Sequence, residues 1–291
     1  MRMELPVSLI TVTAVQRLTP GMARVTFRAD TLPESVGATP DQQVKLCFAR
    51  AGQERPLLPD PAANGDSMRW YQAFLAIPED ARPVMRSYTI RARRDDRVDI
   101  DFVLHGDAGP ATRWASSAEP GDVIGMVGPS ADYARPLGEA DLLLLVGDET
   151  ALPAIGTIVE SLPAHARAVA YIEVTDKSEE QRFDTRADVT LHYLHRGDVS
   201  PGKSRALVDA VRRAELPAGS VFAWLAGESG TVRALRRLLV AERGMDKGSI
   251  DFSGYWRLKL TQDDAPTEED IAEAQERLAQ AQAEGGGTAW T

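Results

Sequence analysis

The run Leu142-Leu143-Leu144-Leu145-Val146 most narrows the folds open to this chain. It has no polar face, so a strand made of it must be covered on both sides, as in a parallel sheet. Gly147-Asp148-Glu149 breaks the run, and Thr150 stands where a helix cap would, ahead of a helix reaching about residue 161. Strand, glycine turn and helix form the unit of a nucleotide-binding α/β sheet, with the ligand at the carboxyl ends of the strands. Further strands are predicted over 168–174, 189–194, 221–225 and 249–252, with helices over 204–213 and 229–242. Arg233, Arg236, Arg237 and Arg243 read mostly as a solvated face of the last helix. The G-x-G-x-x-G fingerprint is absent.

The first half has a different texture. Residues 7–12, 23–27, 44–48, 84–91 and 98–104 alternate apolar and polar side chains, with Thr19-Pro20-Gly21 as a turn and 51–68 as a long loop. Several short strands with turn signals predict a small antiparallel barrel. Gly109-Pro110 opens a short helix over 111–118, proline fitting the first position and the free N–H groups forming an anion site. Trp114 reads as core packing. A chain of 291 residues suggests two domains. The balance of 43 acidic to 33 basic residues, net charge -10, argues against nucleic acid or an anionic membrane as partner. Cys47 is the only cysteine, which excludes an internal disulfide and a cysteine metal site. No apolar run reaches membrane-spanning length and no signal-like segment opens the chain, so the expectation is a cytoplasmic protein without stable membrane insertion.

Within the barrel, Met85-Arg86-Ser87-Tyr88-Thr89-Ile90-Arg91 places a guanidinium and a ring on one strand face and two hydroxyls on the other. A phosphorylated aromatic cofactor is held by such groups, although a half-exposed strand with one arginine has the same pattern. The stretch resembles the flavin motif of ferredoxin-reductase-like flavoproteins. With His105-Gly106, Gly109-Pro110-Ala111-Thr112, the segment 146–155 and Gly254-Tyr255-Trp256-Arg257, the chain from about 7 to 257 resembles the siderophore-interacting protein family. That resemblance implies a two-domain ferredoxin-reductase-like fold. An N-terminal antiparallel FAD-binding β-barrel (1–138) precedes a C-terminal α/β parallel-sheet nucleotide-binding domain (139–260). An extra C-terminal helix and a flexible tail (261–291) follow, the helix showing an apolar stripe at Ile271, Ala274, Leu278 and Ala281.

The resemblance also implies roles. Arg86 would bind flavin phosphate, Tyr88 would stack on the ring, and Ser87 and Thr89 would serve its edge. Asp101, Val103, Gly109, Ala111 and Thr112 would complete the FAD site, and His105 is either structural or close to the flavin. Thr150, Gly227 and Glu228 would line the path of NADH or NADPH, and Tyr255 and Trp256 would return to the flavin. Lys45, Arg135 and Arg257 would receive an anionic ferric siderophore. Lys45 alone also reads as a solvated strand lysine, and Ser130 replaces a basic residue typical of the family. The implied activity is reduction of ferric siderophore by NAD(P)H through FAD, with a ferredoxin as another possible electron donor. Glu173 and Asp176 at the end of the second parallel strand lean toward NADH. The competing expectations are a flavoprotein reductase of another acceptor and a non-enzymatic siderophore binder.

Overall fold

The structure is a computed structural model. It describes residues 6–60, 67–104, 109–129, 140–217 and 219–260, with 267–269, 271–272 and 275 nearer the C-terminus. Chain order in the first half is β1 (Val7–Thr19), β2 (Met22–Arg28), β3 (Gln43–Phe48), α1 (Ser67–Leu75), β4 (Val84–Thr89), β5 (Ala92–Arg94), β6 (Arg97–Val103), α2 (Pro110–Ser117) and β7 (Val123–Val127). The strands form one antiparallel sheet in the order β4-β3-β7-β1-β2-β6-β5. β4 pairs with β3 and β5 with β6, and only Ile90 and Arg91 separate β4 from β5. One continuous segment therefore ties both edges of the sheet together and curls it into a barrel. The Ile90 N–H donates to the Gln42 carbonyl and the Arg91 N–H to that of Asp99, each at 2.8 Å. A seam remains between β4 and the far half of β6.

Alternation places Ile10, Val12, Val25, Phe27, Leu46, Ile100, Phe102, Ile124 and Met126 inside the barrel, all buried. Helix α2 plugs one end. The Trp114 ring lies 6.0 Å from Phe27, 5.3 Å from Phe48 and 5.6 Å from Phe102, so it is a core residue as expected. Helix α1, which starts in the last two residues of the loop expected over 51–68, has no counterpart in the sequence reading. Trp70 and Phe74, one turn apart, bury their rings against Cys47 and Val127 outside the barrel. Two buried aromatics, Trp70 and Phe74, in a nine-residue helix are too short a stripe to distinguish it from a loop in sequence.

The second half contains β8 (Leu142–Asp148), α3 (Leu152–Ser161), β9 (Arg167–Val174), β10 (Asp188–His195), α4 (Ala206–Arg213), β11 (Val221–Glu228), α5 (Ser229–Ala241) and β12 (Ile250–Trp256). Its strands are parallel in the order β10-β9-β8-β11-β12. Every residue of β8 is buried. Leu145 faces the α3 cluster, and Leu144 and Val146 face the α4–α5 cluster. Each such side chain contributes about 1.5–3 kcal/mol of burial, which is why the leucine run dictates a covered central strand.

The arginines of α5 are less solvated than the sequence suggests. The Arg236 guanidinium lies 4.6 Å from the Phe252 ring centroid. Arg243 donates to the carbonyls of Val211, Arg212 and Ala214. Arg233 pairs with Glu269 at 3.2 Å. Of the expected C-terminal helix, the described residues show one turn, in which the Ile271 N–H donates to the Thr267 carbonyl at 3.0 Å. Ala274, Leu278, Ala281 and the tail lie outside the described residues. Among the described residues no helix is long and apolar enough to cross a membrane.

Candidate functional site

β4 is an edge strand, so its side chains flank the seam. Register pairs Leu46 with Arg86, Val44 with Tyr88, Lys45 with Ser87 and Gln43 with Thr89. Arg86 and Tyr88 thus share the face of buried Val44 and Leu46, while Ser87 and Thr89 share the outer face with exposed Lys45. The Arg86 Nη1 donates to the Met85 carbonyl at 2.8 Å. The half-buried Tyr88 ring lies 4.5 Å from Phe102 across the seam. Burial raises the Tyr88 phenol above its ordinary range, so it stays a neutral, flat surface. On the outer face, the Lys45 Nζ donates to the Ser87 Oγ at 2.6 Å. Burial of its stem by neighbours, with Arg86 adding repulsion, lowers the lysine pKa.

Helix α2 begins beside the seam. Gly109 is its cap residue, extended at φ -171° with no side-chain cap, and the first turn holds no acid. The N–H groups of Ala111 and Thr112 belong to the first turn and have no partner within the helix. Among the described residues, a side chain placed on Gly109 would meet nothing within 4 Å. An uncapped helix start, a nearby guanidinium and a flat ring fit a dinucleotide with a pyrophosphate and an aromatic ring system, which is what FAD is. His105 lies outside the described residues, as do Ser130 and Arg135.

Asp101 and Val103 both have partners within the protein. Asp101 takes a bidentate bond from Arg24 at 2.7 and 2.8 Å, with the Arg91 Nε at 3.9 Å. Val103 packs on the cluster that contains Met22 and Leu145. Residues 99, 101 and 103 share one face of β6; Asp99 bonds Thr26 and Arg94 within the barrel, while Val103 reaches the cluster of the second domain.

In the second domain, Asp148 is the hub of the strand ends. Its Oδ1 accepts from the Thr150 N–H at 2.9 Å and the Thr150 Oγ1 at 2.5 Å. Its Oδ2 accepts from the Glu228 N–H at 2.9 Å and the Trp256 Nε1 at 2.8 Å. Thr150 is therefore not the cap of α3, which starts from Ala151 without a side-chain cap. Gly227 has φ +135°, and a Cβ there would meet Asp148 Oδ2 at 2.6 Å, so only glycine lets the carboxylate sit there. Glu228 caps α5 by accepting from the Thr231 N–H at 2.8 Å. The neighbouring Glu149 takes a bidentate bond from Arg196 at 2.6 and 2.7 Å. Burial, then Asp148, pushes the Glu149 carboxyl up to about 7, against the pull of Arg196. Burial likewise raises Glu173 at the end of β9, opposed by a hydrogen bond to Ser204.

The two halves meet where these motifs converge. Thr89 is buried, and Tyr255 lies near the end of β12. The Tyr255 hydroxyl donates to the Asp41 Oδ1 at 2.8 Å and the Trp224 Nε1 donates to the Asp41 Oδ2 at 2.9 Å. Arg91 reaches across to Glu160 at 2.6 and 2.7 Å. The Thr19 Oγ1 and the Gly21 N–H both donate to Glu179, at 2.5 and 2.7 Å. Arg257 follows β12 directly and is half-buried. Asp41, Glu160 and Glu179 escaped the sequence reading because isolated acids carry no motif; their partners exist only once the halves dock.

A barrel with one plugging helix joined to a five-stranded parallel sheet defines the ferredoxin-reductase class of two-domain flavoproteins. A ferredoxin NADP+ reductase structure from Neisseria gonorrhoeae with bound FAD and NADP shares the fold at TM-score 0.56 and 14% identity, over 87% of this chain and 100% of that one. Residues 11–133 match the siderophore-interacting FAD-binding domain, and residues 140–259 match the siderophore-interacting protein model. A siderophore utilization protein from T. fusca is 35% identical at TM-score 0.75, over 91% of this chain and 97% of that one. The ferric vibriobactin reductase ViuB of Vibrio cholerae is 31% identical over 245 residues, 81% of this chain and 84% of the relative. The chain belongs to the siderophore-interacting protein family.

Proposed function

We propose that this protein reduces ferric siderophores with electrons from NADH or NADPH by way of bound FAD, releasing iron as Fe(II). The observation that carries the reading is the meeting of Trp224 and Tyr255, from β11 and β12 of the parallel sheet, at Asp41, two residues before the strand that pairs with β4. It brings the flavin motif and the nucleotide-binding edge of the parallel sheet to one point. FAD, when bound, accepts a hydride and gives up electrons singly, the conversion needed between a two-electron donor and a one-electron iron acceptor. Around it the chain binds and orients; no general base is required. Arg86 and the first N–H groups of α2 hold the pyrophosphate. Tyr88 supplies a flat, neutral face, and Thr89 meets the reactive edge. Asp148 fixes Thr150, Glu228 and Trp256 as the wall of the nucleotide cleft. Lys45, beside Ser87, and Arg257, just past β12, supply positive charge for an anionic chelate in an otherwise acidic protein. Reductase activity named for the Vibrio cholerae relative supports the assignment.

Glu173 and Asp176, at and just beyond the end of β9, lean toward a free ribose hydroxyl and hence NADH, and both nucleotides are compared in the test. We assign the protein to the cytoplasm, where reduced nicotinamide is available. A ferredoxin remains the alternative donor to compare. The test is an anaerobic visible spectrum of the FAD-loaded protein, to which NADH, NADPH or reduced ferredoxin is added and then a ferric siderophore with a ferrous trap. Flavin absorbance bleaches and returns as trapped Fe(II) appears. Bleaching without return for every chelate tried would reassign the acceptor, and a protein that takes up no FAD would refute the flavin reading.

A further inference from the structure

Asp41 stands two residues ahead of β3, at the entry to the strand beside β4. Its φ of 55° lies in the left-handed region, which few residues other than glycine adopt unless their surroundings hold them there. What holds Asp41 is the other domain. Its N–H donates to the Thr157 Oγ1 on α3 at 2.9 Å. The Trp224 Nε1 on β11 donates to its Oδ2 at 2.9 Å, and the Tyr255 hydroxyl on β12 donates to its Oδ1 at 2.8 Å. The Thr157 proton is committed to the Ala154 carbonyl at 2.8 Å, so the oxygen accepts from Asp41. Among the described residues, one residue of the barrel is thus fastened to three elements of the nucleotide domain.

On its own side, Asp41 is joined to the flavin motif through backbone. The carbonyl of the next residue, Gln42, accepts from the Ile90 N–H at 2.8 Å, and Gln43 lies opposite Thr89 in the β3–β4 register. The residues that follow Asp41 therefore hold the carboxyl end of the strand that carries Arg86 and Tyr88. Arg91 reaches Glu160 from just beyond the same strand, but through a long side chain whose stem can adjust. Asp41 holds through its backbone and a short side chain, which leave little slack. The Glu179 clasp is placed elsewhere. It takes the β1–β2 turn, and β3 and β7 lie between β1 and β4 in the sheet.

Hydride passes only between atoms about 3–3.5 Å apart, and an error of about 1 Å can cost about 100-fold in rate. In the proposed function the flavin is held on the barrel and the nicotinamide on the parallel sheet, so this distance is set by how the two domains are seated. We propose that Asp41 is a positioning residue for hydride transfer: it seats the flavin-bearing strand against the nucleotide domain, and its loss slows the transfer while both cofactors still bind. The inference rests on the proposed function and adds to it the residue that sets the distance. The hydride carries its electron pair from nicotinamide, which is oxidised, to flavin, which is reduced. Asp41 exchanges neither proton nor electron in the step.

The test is single-turnover reduction of bound FAD by NADH or NADPH, whichever reduces the wild type, followed by anaerobic stopped flow in wild type, Asp41→Gly, Asp41→Asn and Glu179→Ala. Glycine keeps the left-handed backbone and the N–H to Thr157 but removes both side-chain bonds. Asparagine keeps the shape: its amide oxygen accepts from Trp224 and its NH2 donates to the Tyr255 oxygen. Asp41→Gly should lower the limiting rate by about tenfold, with the dissociation constants of FAD and nucleotide within about twofold of wild type, the mark of an effect confined to the transfer step. Asp41→Asn should restore the rate, and Glu179→Ala should keep it. Flavin reduced with dithionite instead should pass electrons to a ferric chelate equally fast in every one of these proteins. In the cofactor-free protein, the Ile90 amide hydrogen should exchange faster in Asp41→Gly and at the wild-type rate in Glu179→Ala. A wild-type limiting rate or unchanged Ile90 exchange in Asp41→Gly overturns the proposal. So does a slow Asp41→Asn, which would make charge rather than seating the cause, and so does equal slowing in Glu179→Ala. If Asp41→Gly does not fold, Trp224→Phe, which removes one of the two side-chain bonds, takes its place with a smaller fall in the same direction. Wild type reduced by nucleotide, with variants that match it, refutes only the role of Asp41. Wild type whose FAD neither nucleotide reduces refutes the proposed donor and this inference together.

Discussion

Asp148→Asn tests the strand-end hub most directly. The carboxylate accepts four hydrogen bonds, two on each oxygen. An amide keeps one oxygen, so one pair of donors must face an NH2 group. Either the two Thr150 donors lose their acceptor, or the Glu228 N–H and the Trp256 Nε1 do. Bonds to a charged acceptor contribute about 1.5–3 kcal/mol each, so losing two costs roughly 3–6 kcal/mol before relaxation. The side chain has little room to relax, because Asp148 is 7% exposed and its oxygen lies against Gly227. Water reaching half-buried Trp256 offsets part of the loss, which leaves about 3 kcal/mol and a fall in Tm of roughly 6–12 °C for a domain of this size. Thermal unfolding followed by tryptophan fluorescence gives the measurement. Thr150→Val, which deletes one of the four bonds, should fall between wild type and Asp148→Asn. The KM for the nicotinamide nucleotide should rise in Asp148→Asn while FAD content is kept. An Asp148→Asn protein melting within about 2 °C of wild type would show that the hub does not stabilise the domain as reasoned.

Arg86→Ala should weaken FAD binding by about 10- to 100-fold, the worth of one charge-assisted phosphate contact, as read from flavin fluorescence released on dilution; full retention through purification would remove Arg86 from the site. Lys45→Ala combined with Arg257→Ala should raise the KM for an anionic chelate and flatten its salt dependence while NAD(P)H still bleaches the flavin, and an unchanged KM would remove the basic pocket. Cys47 is fully buried and its thiol is pushed up to about 12 by that burial. The folded protein should therefore leave a thiol reagent unreacted at pH 8 and react once the chain is unfolded in urea; prompt labelling of the native protein would contradict the packing of α1 over β3.

The sequence was most legible where a residue type admits one environment. The leucine run of β8 required cover on both faces, and the alternation at 84–91 correctly separated Arg86 and Tyr88 from Ser87 and Thr89. It was least legible where a side chain had a choice of partners. Thr150 resembled a helix cap, but its hydroxyl turns to Asp148, a stronger acceptor already at hand. Asp101, expected near the cofactor, takes a bidentate bond from Arg24 on the paired strand, a partner that no motif announces. Asp41 gave no signal because its backbone angle and its partners Trp224 and Tyr255 arise only from docking of the domains. Glu228 was read as a cleft residue and is also a helix cap, a double duty that spacing alone does not reveal.

Thr157 and Glu160 lie about one turn apart on α3, and both reach over to the barrel, to Asp41 and to Arg91. Glu179 grips the β1–β2 turn from the same domain. Among the described residues, these bonds splint the two halves at a set separation. Anything that binds between the halves therefore meets a spacing fixed before it arrives.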